Sequence, residues 1–295
     1  MIAPFPADTD VPAWWQGLGL PGLIDVHTHF MPDPVMNAVW RYFDNLDEHS
    51  GLTWPIQYRG DSDTRAAQLR EFGVRAFTAL FYAHKPDMAE GLNAWGREFA
   101  ARTPDSILSA TFYPEPSAPR YVADALAAGA RIFKVHVQVG DFDPRDPQLH
   151  AVWGLLAEAG VPVVVHCGSG PMPGRHTGPG PFGAVLAEHP RLTAVIAHAG
   201  MPEFAEHTDL VEKYPNVYLD TTMVATDFMN SLSAVPVEVV KRWQVLQDRI
   251  VLGSDFPNIP YAYGHQLYAL ERLDLGEDWL RAVCWHTPAR LLGVS

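Results

Sequence analysis

Val161-Pro162-Val163-Val164-Val165-His166 is apolar throughout until it stops at a histidine. A run this short, without the alternation of a half-exposed strand, reads as a strand covered on both faces, as in a parallel sheet. The segment ahead of it, 149–159, carries Val152, Trp153, Leu156 and Ala159 at helical spacing, and Gly160 then suits a left-handed helix cap. Helix, glycine, buried strand is the unit to look for elsewhere.

It recurs. Runs rich in β-branched and aliphatic residues lie at 23–30, 74–82, 107–113, 131–137, 161–166, 192–198, 217–221 and 250–255. Amphipathic stretches of helical length separate most of them, among them 89–101, 119–128 and 236–246, the last two opening on a proline whose missing N–H costs little there. Gly73 and Gly129 precede their strands as Gly160 does. Eight strands alternating with helices predict an α/β fold of the (β/α)8 (TIM) barrel type. An open doubly wound sheet would not need eight units. The expected organisation is one domain over 1–295, with an N-terminal extension at 1–22 and a long insertion at 31–73, after strand one. That insertion, rich in aromatics such as Trp40, Tyr42, Phe43, Trp54 and Tyr58, is expected over the barrel mouth.

Composition narrows the function classes. The chain has 295 residues, 21 Lys+Arg against 34 Asp+Glu, and a formal net charge of −13. That balance excludes nucleic acid as the main partner, because phosphate backbones reward clustered cations. Two cysteines, Cys167 and Cys284, are too few for a disulfide framework or a Cys-rich zinc site. The N-terminal stretch carries Asp8 and Asp10 and lacks a basic and an apolar region, and no run approaches ~18 apolar residues. The expectation is a soluble, cytoplasmic protein that does not bind membranes, acts on a small molecule, and is compatible with a homodimer. Thirteen histidines are the unusual count.

Their placement gives the count meaning. Strand one ends Asp25-Val26-His27-Thr28-His29, and residues two apart share a strand face. Strand five ends at His166, strand six at His198 and strand eight at Asp255. Catalytic groups of these barrels gather at the C-terminal ends of strands. Any one of these histidines alone reads as an ordinary satisfied polar residue, and Asp255 alone as a helix cap. Four imidazoles and a carboxylate on one rim read as a metal site. His150, His189 and His207 fall in helices or loops and carry no such signal.

The motifs Asp-Val-His-Thr-His (25–29), Val-Val-Val-His (163–166), Ala-His-Ala-Gly (197–200) and Leu-Gly-Ser-Asp-Phe-Pro (252–257), with the closing Thr287-Pro288-Ala289-Arg290-Leu291-Leu292-Gly293, resemble the amidohydrolase superfamily. The similarity is to the amidohydrolase-2 branch that includes aminocarboxymuconate-semialdehyde decarboxylase-like enzymes, and it spans Ile24 to about Gly293. The resemblance implies that His27, His29, His166 and Asp255 bind one catalytic divalent metal. It also implies that His198 is catalytic, as a second-metal ligand or as an acid/base group at the substrate. Three imidazoles and a carboxylate suit zinc, with manganese, cobalt or iron fitting similar ligands.

Strand four, Arg131-Ile132-Phe133-Lys134-Val135-His136, leaves alternatives open. Some superfamily members carry a carbamylated lysine bridging two metals on this strand. The favoured reading of Lys134 is an ion pair with substrate or with Asp25; His136 shares its strand face. In the loops, Arg175 after His166 and Arg59 in the insertion are candidates for binding a substrate anion, with a solvated arginine as the bland counterpart. The expected activity is hydrolysis, a metal-activated water attacking an ester, lactone or amide carbonyl. The alternative is non-oxidative decarboxylation of an unsaturated or aromatic acid, which needs an arginine aimed at the carboxylate. A catalytically silent barrel and a phosphoesterase fit less well.

Overall fold

The computed structural model describes residues 7–294; the first six residues of the expected N-terminal extension, and Ser295, lie outside the described residues. The strands are β1 (Leu23–Asp25), β2 (Val74–Thr78), β3 (Ser106–Ile107), β4 (Ser109–Thr111), β5 (Ile132–His136), β6 (Val163–His166), β7 (Ala194–Ile196), β8 (Val217–Asp220) and β9 (Ile250–Val251). Every neighbouring pair is parallel, in the order β1-β2-β3 and β4-β5-β6-β7-β8-β9. β3 and β4 are two pieces of one strand position, and Leu108 between them still accepts from Arg131 N–H at 2.9 Å. Val26 N–H donates to Leu252 O at 2.8 Å, so the last strand position returns to the first. The eight strand positions are those expected, and the fold is an α/β barrel of (β/α)8 type.

Ladder pairing is shorter than the apolar runs. β1 stops at Asp25 and β9 at Val251, although strands reaching Phe30 and Asp255 were expected. Beyond those points the backbone bonds pass between loops: Asp255 N–H to His27 O at 2.8 Å, Leu80 N–H to Thr28 O at 2.8 Å, His29 N–H to Phe256 O at 2.6 Å. The site residues therefore stand on a hydrogen-bonded collar above the sheet. Gly73, Gly129 and Gly160 take φ of 83°, 89° and 65°, the left-handed conformation their positions call for.

Burial has two layers. Ile24, Val26, Ile107, Ile132, Val164, Val195 and Val251 fill the barrel interior, and a larger cluster, with Phe77, Phe133 and Trp153, lies between strands and helices. Ile132 and Val164 start an alternation that carries upward to Lys134, His136 and His166. The apolar floor and the polar rim are thus one face of the same strands.

The stretch 31–73 holds helices Asp33–Asp44, Leu46–Ser50 and Ser62–Glu71. The last runs directly into β2, so the barrel's own first helix falls inside this stretch. Trp40 and Trp54 donate their indole N–H groups to Asn258, three residues past Asp255, at 3.1 and 2.6 Å. Among the described N-terminal residues, Asp8 accepts from Tyr58 OH at 2.5 Å and Trp15 donates to Phe72 O at 3.0 Å. Among the described residues no helix is long and apolar enough to cross a membrane.

Candidate metal centre

A closed circuit of aromatic rings lines the rim. Neighbouring ring centres are 5.1 Å apart for His29–His27, 5.2 Å for His27–His198, 4.7 Å for His198–His166 and 3.8 Å for His166–His136. Tyr82 closes it, 5.0 Å from His136 and 6.0 Å from His29. Asp255 meets this circuit at His29 and His27, and Lys134 meets it at His27.

Donor atoms of His27, His29 and Asp255 all lie within 4.8 Å of one another. His29 Nε2 is 2.9 Å and His27 Nε2 3.5 Å from Asp255 Oδ1. The opposite nitrogens are already engaged. His27 Nδ1 donates to Asp220 Oδ2 at 2.7 Å, and His29 Nδ1 donates to Leu80 O at 2.7 Å. Such outer partners fix a metal-binding imidazole's tautomer and aim its free lone pair. With Nδ1 donating, His29 Nε2 brings a lone pair against a carboxylate oxygen. Only a cation between them, a proton or a metal ion, makes that contact favourable. On this observation the residues present fit a divalent ion.

The rest of the expected set is arranged around that core. His198 donates Nδ1 to Thr222 O at 3.2 Å, leaving Nε2 free. His166 directs Nε2 to Gly170 O at 3.3 Å and stacks on His136, so its donors fall outside the tightest group. His136 accepts from Val139 N–H at 3.3 Å and thereby caps the short helix that follows β5. Lys134 is fully buried, and its Nζ donates to His27 Nε2 at 3.1 Å.

The Lys134–Asp25 ion pair that the strand-four reading favoured is not formed. The Asp25 carboxyl is occupied instead by Tyr263 OH at 2.9 Å and His27 N–H at 3.1 Å. Burial drives the titrations here. It pushes the Asp25 carboxyl up to about 7 and the Lys134 ammonium down to about 8, and with Lys134 beside it His27 falls to about 3. Burial would raise Asp255 too, but His29 and the other imidazoles hold it below the usual carboxylate range.

Backbone strain marks the same residues. His198 and Asp255 have φ of 54° and 74°, a left-handed conformation that non-glycine residues rarely adopt. Gly253 permits the close approach: a Cβ there would lie 2.8 Å from His27 Cβ and collide with Thr222 Oγ1.

An amidohydrolase family model matches residues 24–294. The chain belongs to the amidohydrolase family. No curated protein matches it significantly. Similar solved structures include an uncharacterised TIM-barrel protein from Bordetella bronchiseptica, 18% identical over 92% of this chain and 99% of that one, with a TM-score of 0.68. A probable 2-pyrone-4,6-dicarboxylic acid hydrolase from Acinetobacter baumannii is 13% identical over 92% and 99%, with a TM-score of 0.61. Dihydroorotase from Campylobacter jejuni is 14% identical over 94% and 84%, with a TM-score of 0.59. At these identities the likeness establishes the TIM-barrel fold. Family membership makes the chain an enzyme of a typically metal-dependent kind, with candidate ligands in place.

This amidohydrolase places its two anion-binding candidates differently from the rim set. Arg59 forms a two-pronged ion pair with Asp44 and lies 5.7 Å from the Trp40 ring centre. Its charge is thus satisfied on the surface. Arg175 is exposed on its loop, with no ion pair among the described residues. Two further residues, not singled out by the sequence motifs, support the site. Asp220, fully buried at the end of β8, holds His27 and also accepts from the His198 N–H at 2.7 Å. The signal was available, since Val-Tyr-Leu-Asp is another apolar strand ending in a polar residue. Arg65, fully buried, donates to the His29 carbonyl at 3.3 Å and lies over the Phe30 ring. Its helix shows no pattern that would reveal this.

Proposed function

We propose that this amidohydrolase is a metal-dependent hydrolase that cleaves an ester, lactone or amide bond of a small molecule. The observation that carries the reading is the convergence of His27 Nε2, His29 Nε2 and Asp255 Oδ1, each imidazole locked from behind. His166 and His198 complete the proposed set, His166 as a ligand and His198 at the substrate. A divalent ion held there, zinc by the character of the donors, supplies Lewis acidity: it acidifies water and polarises a carbonyl.

The chain's own residues supply the rest. Attack of water on a carbonyl needs a group that accepts a proton and returns it to the leaving group. Asp255, ionised at neutral pH and at the centre of the cluster, is that group. His198, with Nδ1 donating to Thr222 O, presents Nε2 to the substrate side. Lys134, its Nζ 3.1 Å from His27 Nε2, adds a buried ammonium beside the proposed ligands. Decarboxylation asks for an arginine facing a substrate carboxylate. Arg59 is engaged by Asp44 and Arg65 by a backbone carbonyl, which leaves Arg175 as the arginine that alternative would have to use.

One tight ion is proposed for this centre. A bridged pair through carbamylated Lys134 is a second reading, favoured by the 3.1 Å approach of Nζ to His27 Nε2. Zinc titration of metal-free protein, wild type against His29→Ala, tests the site. The reading predicts tight uptake in the wild type and its loss in the variant; equal uptake by both contradicts it.

A further inference from the structure

Among the described residues, one other cluster of metal-ligating side chains stands apart from the barrel mouth: His150, Glu188 and His189. His150 lies near the start of the helix Pro147–Ala159, Glu188 ends the helix Pro179–Glu188, and His189 is that helix's C-cap. The two helices belong to successive βα units, so the cluster joins elements distant in sequence. Its residues carry no strand-end signal and none is used by the proposed chemistry.

Ligand atoms from the three side chains lie within 4.8 Å of one another. His150 Nδ1 is 3.7 Å from Glu188 Oε2, and the two imidazole centres are 4.9 Å apart. Donors about 2.0–2.2 Å from a tetrahedral ion stand roughly 3.3–3.6 Å apart, so the set must close by at most about 1.5 Å. The side chains of His150 and Glu188 are 67% and 70% exposed, so both can turn the remaining distance without disturbing the core.

His189 adds an independent observation. Its Nε2 is buried and has no hydrogen-bond partner. An unpartnered buried nitrogen is costly, and coordination through Nε2 would give it the partner it lacks. The nearby guanidinium of Arg145, which lines the same hollow, is held by Asp143 at 2.8 and 2.9 Å. It therefore does not claim the Glu188 carboxylate.

We propose that His150, Glu188 and His189 form a second, surface metal site for a divalent transition-metal ion, clamping the two helices. Two imidazoles and a carboxylate favour zinc among the abundant ions, and leave a position for water. The exposed setting predicts weaker binding than at the barrel mouth.

Calorimetric titration with zinc chloride tests it, on protein already loaded at the barrel and freed of excess metal. Wild type is compared with His150→Ala and Glu188→Gln, both surface changes whose folding is checked by circular dichroism. Any further ion entering the barrel mouth appears equally in all three proteins, so the difference between them reports the surface site. The expected result is one more equivalent in wild type than in His150→Ala, bound about tenfold more weakly in Glu188→Gln. Zinc should also raise the Tm of loaded wild type and not that of loaded His150→Ala. Equal stoichiometry and affinity in all three proteins would overturn the proposal, as would uptake insensitive to both substitutions.

Discussion

Asp220 Oδ2 accepts the His27 Nδ1–H at 2.7 Å, and neither side chain is exposed by more than 1%. Its other oxygen accepts the backbone N–H groups of His198 and Thr222, at 2.7 and 3.1 Å. One carboxylate thus fixes a metal-facing imidazole and the strained turn carrying the proposed substrate-side histidine. Asp220 is as much a part of the centre as the residues expected to hold the ion.

Replacing Asp220 by Asn keeps the size but lets the amide offer N–H where His27 needs an acceptor. Zinc affinity should fall about 10–100-fold, the usual cost of losing an outer-shell partner. Competition with a chromophoric chelator measures it. Unchanged affinity would mean that His27 is oriented by packing alone.

Asp255→Asn removes the proposed proton acceptor. Turnover should drop by at least ~100-fold while the circular dichroism spectrum stays that of wild type. Retained activity would remove Asp255 from the proposed chemistry.

The barrel was legible because its evidence is periodic. Buried runs such as 161–166 and the glycines before them repeat around the chain, and the paired spacing of His27 and His29 marks a shared face. What was not legible depends on contacts across the barrel. Asp25 looked available to Lys134, but Tyr263, 238 residues away in sequence, takes its carboxyl. Arg59 looked free until Asp44, on a helix of the same insertion, was found to hold it. β1 and β9 are shorter than their apolar runs because the ladder ends at Asp25 and Val251, where loop-to-loop bonds take over from apolar sequence that continues.

Gly253→Ala should place a methyl group against His27 Cβ and Thr222. Overpacking of this kind costs about 1–3 kcal/mol. Both Tm and zinc affinity should fall, and a loss of Tm alone would show that the collar yields without moving His27.

Chelation should lower Tm reversibly. A ligand at about 100 times its Kd stabilises the folded state by about 2.7 kcal/mol, so restoring zinc should restore the Tm. Calorimetry with and without chelator, on His150→Ala to isolate the barrel mouth, gives the comparison.

Ion stoichiometry separates the two readings of Lys134. Elemental analysis of the His150→Ala protein should give one tight equivalent per chain. Two equivalents together with a carbamate signal on Lys134 would establish the bridged pair.

Hydrolysis at this centre and decarboxylation release different products. The decisive measurement is a screen of zinc-reconstituted enzyme against lactones, esters, amides and unsaturated or aromatic carboxylic acids, following carbonyl-bond cleavage and carbon dioxide release together. The expected result is cleavage that disappears in Asp255→Asn, with no carbon dioxide. Carbon dioxide release without cleavage would contradict it.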